Sequence, residues 1–97
     1  MQVNTNEKTA VISKREIMNA MNNPDKIAKL TSRISTALTD NIGIFRIEKA
    51  FSVIFIKTAR NALTNAYTAS RTDGVYAEHK DPSELAKLIL SMCGVTA

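Results

Sequence analysis

Cysteine, proline and glycine are scarce in this chain and tryptophan is absent: 97 residues hold one Cys, two Pro and three Gly. A single cysteine excludes a disulfide framework and a Cys-based zinc cluster, and it fits a reducing compartment. So little glycine and proline excludes collagen-like and loop-dominated architectures. Three separated glycines cannot build a Gly-rich phosphate loop. No apolar run approaches the ~18 residues that a membrane-spanning helix needs. The opening segment, Met1-Gln2-Val3-Asn4-Thr5-Asn6-Glu7-Lys8, is polar and lacks the apolar stretch of a secretory signal. These absences lead to the expectation of a soluble cytoplasmic domain with no membrane partner.

What is present is enough for one core and one domain. Hydrophobic residues make up 44% of the chain and charged residues 23%, which is too apolar for a disordered segment. The net charge is +4. Residues 14–71 carry ten basic side chains against the four acids Glu16, Asp25, Asp40 and Glu48, an excess of +6. Residues 72–97 carry Lys80 and Lys87 against Asp73, Glu78, Asp81 and Glu84, an excess of −2. A basic body points to an anionic partner, or to a solvated surface that keeps the protein soluble.

Helix signals start at Ser13, where Ser13-Lys14-Arg15-Glu16 has the form of a capping box. A short first helix is expected from Lys14 to about Met21, burying Ile17, Met18 and Met21. Asn22-Asn23-Pro24 ends it and opens a second helix, with Asn23 as cap and Pro24 in the first turn. Ile27, Leu30, Ile34 and Leu38 form its apolar stripe. Ile44 to Ser70 contains no Gly or Pro, and helical spacing gathers Ile44, Ile47, Phe51, Ile54, Phe55, Ala59, Ala62 and Ala66 on one broad face. A long third helix is therefore expected. A strand over Phe51–Ile56, where β-branched and aromatic residues cluster, is the competing reading. After an Asp73-Gly74 turn, Asp81-Pro82-Ser83-Glu84 opens a fourth helix with Leu85, Leu88, Ile89, Met92 and Cys93 on its stripe and Gly94 at its end. Residues 1–12 are expected to be a mobile tail.

On a long third helix Arg46, Lys49, Lys57 and Arg60 would fall within an arc of about 80°, with Arg71 joining if the helix extended. A row of one sign over about 20 Å could follow a phosphate backbone. Lys26, Lys29 and Arg33 form a shorter row on the second helix. Phe45, Ile56 and Leu63 at the edge of the third helix, and Leu90 on the fourth, are candidates for a protein interface or a homodimer. Tyr67 and Tyr76 could stack on bases, but each fits a core or loop role. His79 and Cys93 lack the surroundings of a catalytic pair, and the nine acids show no metal-site spacing. The Asn22-Asn23-Pro24 turn lacks the glycine of a helix-turn-helix, and the helix after it is longer than a recognition helix. No cofactor is expected.

Met21-Asn22-Asn23-Pro24-Asp25, Arg46-Ile47-Glu48-Lys49-Ala50-Phe51, Asp81-Pro82-Ser83-Glu84-Leu85 and Ser91-Met92-Cys93-Gly94-Val95 occur in an order that resembles the N-terminal helical segment of RecT-type phage single-strand annealing proteins. The resemblance covers about residues 16–95. It implies basic helices that engage nucleic acid. The segment from Arg71 to Lys80 is longer than in that family, and the β-rich annealing core would lie beyond residue 97, so the resemblance implies a fragment or a reduced relative. Together these readings give an all-α, compact four-helix domain over residues 13–97, with a long central third helix. It would be a non-enzymatic protein that binds nucleic acid, most readily DNA. The alternative is a small helical module that binds an acidic or apolar protein surface, such as an immunity or inhibitor protein.

Overall fold

A computed structural model gives the fold of residues 1–95. It is a mixed α/β fold with a single six-stranded sheet, not a four-helix domain. The segment expected as a tail holds β1 (Gln2–Asn4) and β2 (Thr9–Ile12), which pair antiparallel. Helices α1 (Lys14–Ala20) and α2 (Pro24–Thr39) follow. The segment expected as a long helix is instead three elements: β3 (Ile44–Glu48), β4 (Val53–Asn61) and β5 (Ala66–Arg71). The chain closes with β6 (Tyr76–His79) and α3 (Pro82–Met92). The strands lie in sequence order across the sheet. β3 to β6 form an antiparallel meander, whereas β2 pairs parallel to β3. A parallel pair needs a long crossover, and α1 and α2 supply it.

The helix ends follow their local chemistry. The Ser13 hydroxyl accepts from the Glu16 backbone N–H at 3.2 Å, and the Glu16 carboxylate accepts from the Ser13 N–H at 3.2 Å, which closes the capping box. The Asn23 side chain accepts from the Lys26 N–H, and Asp81 from the Ser83 N–H. Gly94, at φ +82°, ends α3 in a Schellman turn: its N–H donates to the Ser91 carbonyl and that of Val95 to the Leu90 carbonyl.

The expected third helix fails because its apolar residues serve a period of two. Phe45, Ile47, Ile54 and Ile56 lie on the face that carries the helices, and the registers Phe45↔Ile56 and Ile47↔Ile54 set them side by side. Ile44, Val53 and Phe55 lie on the opposite face. Apolar residues on both faces blur the alternation and mimic a wide helical arc. The turns are built without Gly or Pro. Between β3 and β4 the Lys49 N–H donates to the Ser52 carbonyl at 2.8 Å. Between β4 and β5 the Asn61 side chain accepts from the Leu63 and Thr64 N–H groups, and Asn65 takes φ +60°, a conformation that asparagine tolerates better than most residues.

α2 lies between α1 and α3, with α1 against β3 and α3 against β5 and β6. The core joins Ile12 of β2 and the inner residues of β3 and β4 to Ile17, Leu30, Ile34, Leu85, Ile89 and Leu90. Two expected helix stripes are shifted. α1 buries Ile17 and Ala20 while Met18 and Met21 are exposed. α3 buries Leu85, Ala86, Ile89 and Leu90 and leaves Leu88 exposed, because α2 and the sheet cover it from two sides. The buried hydroxyls are satisfied: Thr31 donates to the Ile27 carbonyl and Thr58 to the Ile42 carbonyl. Among the described residues no helix is long and apolar enough to cross a membrane.

Ile56→Ala should therefore lower stability by about 2–5 kcal/mol, as loss of a core side chain in a central strand does. Phe51→Ala and Leu63→Ala, at exposed turns, should stay within about 0.5 kcal/mol of the parent. Urea unfolding measures all three.

Candidate nucleic-acid interface

The strand period divides the basic row that a helix would have kept together. Arg46 and Lys57 lie on the open face of the sheet, where Arg46 meets Glu48 at 3.7 Å. Arg60 lies on the helix-covered face, beyond the end of the core. Its guanidinium stands 5.3 Å from the Tyr67 ring centre and donates to the Asn65 side chain at 2.6 Å, holding the β4–β5 hairpin. Arg71 donates to the Met92 carbonyl at 2.6 Å and, through two nitrogens, to the Asp73 carboxylate at 2.7 and 2.6 Å. The hydrogen bond from Arg71 outweighs burial and holds the Asp73 carboxyl below its usual range. A Cβ placed on Gly94 would come within 3.4 Å of the Lys49 ammonium, so Lys49 also sits at the C-terminal end of α3. α3 has no basic residue in its own last turn. Lys49 and Arg71 supply positive charge to its negative end from the sheet. Arg46, Lys49, Lys57, Arg60 and Arg71 are thus not one surface, and three of the five are structural.

The expected protein-interface set is corrected in the same way. Phe45, Ile56 and Leu90 are buried core residues, and only Leu63 is open, at 97% exposure in the β4–β5 turn. A two-layer fold covers those three side chains within one chain. Other apolar residues reach solvent, among them Phe51, fully exposed at the β3–β4 turn, and Ile44, Val53 and Phe55 on the open face.

Lys26, Lys29 and Arg33 do share one face. They occupy positions i, i+3 and i+7 of α2, directly beside the buried stripe on the side of α1. With Glu16, Asn19, Ala20 and Leu30 they line a groove of about 250 Å³ between the two helices. Asn19 also borders a second recess, lined by Lys14, Arg15 and Met18 of α1. Lys14, Arg15, Lys26, Lys29 and Arg33 are all exposed. Glu16 is the acid within this surface, and it is occupied: it accepts from the Met1 amino group as well as from Ser13. Burial pushes its carboxyl up, but these hydrogen bonds prevail and hold it below the usual carboxylate range. The groove is therefore cationic at neutral pH. Arg33 donates to the Met1 carbonyl at 2.7 Å, which fixes its direction.

The described residues contain no group of three or more His, Cys, Asp or Glu placed to hold a metal ion. His79 accepts from the Asp81 N–H through Nδ1, just before the start of α3, whereas Cys93 caps the opposite end of that helix. Comparison of the chain with protein-family models, curated proteins and solved structures finds no match.

Burial pushes the Cys93 thiol up to about 11, against the smaller opposing pull of Lys49 and Arg71. A thiol held neutral and buried is a poor nucleophile. Iodoacetamide at pH 8 should leave the native protein unlabelled and label it fully in urea. The unfolded thiol ionises near pH 8.5, below the folded one, so stability should decline as pH rises through about 9 towards 11. Thermal melts across that range check the sign.

Proposed function

We propose that this protein binds nucleic acid through the cationic face of α1 and α2, chiefly by contacts to phosphate. The observation that carries the reading is the groove lined by Lys26, Lys29 and Arg33, whose lining acid, Glu16, is already paired, with Lys14 and Arg15 exposed on α1 nearby. Surface charges on helices usually alternate in sign and pair at i, i+4. Here Lys26, Lys29 and Arg33 run for about 10 Å along α2, and Asp25, four residues before Lys29, is the one acid at that spacing. Lysine and arginine at this spacing release counterions from a polyanion, which gives affinity that depends on salt and little on sequence. The resemblance of Asp81-Pro82-Ser83-Glu84 and the segments around it to single-strand annealing proteins favours the same ligand class. No catalytic role is required of any residue.

Lys26→Glu with Lys29→Glu tests this. Both side chains are exposed, and an acid at position 26 suits the positive first turn of α2, so the fold should hold. Fluorescence polarisation with labelled single- and double-stranded oligonucleotides, at two salt concentrations, should show at least tenfold weaker binding. The salt slope for single strands should shrink by about 1.4, two phosphate contacts' worth. Arg60→Gln should bind as the parent does. Unchanged affinity in the Lys26/Lys29 variant would sink the reading.

A further inference from the structure

A sheet covered by helices on one side ordinarily turns polar residues to the other. This sheet does so towards its edges, with Gln2, Asn4, Thr68 and Ser70, but keeps apolar residues at its centre. Val11 faces Arg46, and Arg46 faces Phe55, in the registers of β2, β3 and β4, and Ile44 and Val53 stand one pair to either side. Ile44, Val53 and Phe55 keep 40%, 42% and 43% of their surface exposed. Together they form one apolar patch around a central arginine. The charge of this face is balanced: Arg46 and Lys57 are offset by Glu48 and Glu78. A polyanion gains no net attraction from it, in contrast to the α1–α2 surface. A surface carrying the same balanced pattern meets no net repulsion.

We propose that the open face of the sheet docks onto the same face of a second copy of this chain, forming a twofold dimer of stacked sheets. Six strands make the sheet about 24 Å wide, and the paired segments run from about 10 Å between β1 and β2 to about 20 Å between β4 and β5. Two such faces, with their side-chain relief, bury on the order of 1,000 Å², where specific interfaces begin. Aligned sheets stack about 10 Å apart with side chains interdigitating. A twofold axis running along the strands lays β3 over β4 of the second copy. Each Arg46 guanidinium then meets a Phe55 ring, a cation–π pairing made twice by symmetry. The basic α1–α2 faces are left on the two outer sides of the dimer, free to bind.

Sedimentation equilibrium of the full chain from about 10 to 500 μM tests the proposal, with circular dichroism and thermal melts as fold controls. The parent should reach twice the 10.6 kDa chain mass. Phe55→Lys with Ile44→Lys, both on the solvent side of the sheet, should remain at the monomer mass with an unchanged spectrum. Should that variant misfold, Arg46→Gln keeps the apolar patch and should still weaken dimerisation at least fivefold. Lys26→Glu with Lys29→Glu should dimerise like the parent, which separates this proposal from the nucleic-acid reading. A parent that stays monomeric throughout, or an Arg46→Gln chain that dimerises as tightly as the parent, overturns it. So does a monomeric parent whose oligonucleotide affinity falls on Phe55→Lys, which would assign the face to nucleic acid.

Discussion

The parallel pairing of β2 with β3 is the constraint on which the rest of the structure depends. Two strands that run the same way cannot be joined by a tight turn, so the chain must cross the sheet between Ile12 and Ile44. The crossing is made by α1 and α2, which lay their apolar residues on Ile12, Phe45, Ile47 and Ile56. α3 then fills the space beside α2. All three helices end on one side, and the other side of the sheet is left to solvent or to a partner.

This division sets the electrostatics as well as the core. Side chains on β3 and β4 alternate between a helix-covered and an open face, so cations at Arg46 and Lys57 part company from Arg60 and Arg71. Those on the covered side are drawn into hairpin and helix-end contacts, where Arg71 donates to the Met92 carbonyl and the Lys49 ammonium stands near Gly94. The cations that stay together are the ones carried by helices that stay helices. Lys14 and Arg15, exposed on α1, line a recess that shares Asn19 with the groove of Lys26, Lys29 and Arg33.

Two surfaces of different character result, and they suit different partners. The helix layer presents an excess of one sign in a shallow groove, suited to a flexible polyanion. The sheet presents half-buried aliphatic and aromatic side chains with balanced charge, suited to another folded surface. Because the two lie on opposite sides of the fold, occupation of one leaves the other accessible.

Features that depend on neighbours a few residues away follow from local chemistry alone. Ser13 with Glu16, Asn23 with Pro24, Asp81 with Pro82, and Gly94 mark helix ends through hydrogen bonds and backbone angles, so α1, α2 and α3 are legible, as are Lys26, Lys29 and Arg33 as one row. The segment from Ile44 to Arg71 is different. Its turns use asparagine and ordinary residues in place of Gly or Pro, and its apolar residues serve two faces, so helical and strand periods fit it alike until partners are known. Only the tertiary structure decided between them. β3 has β2 on one side and β4 on the other, and the distant β2 supplies backbone partners that no local pattern announces. The same pairing decided which cations share a surface, because the face a strand residue occupies is set by its cross-strand register.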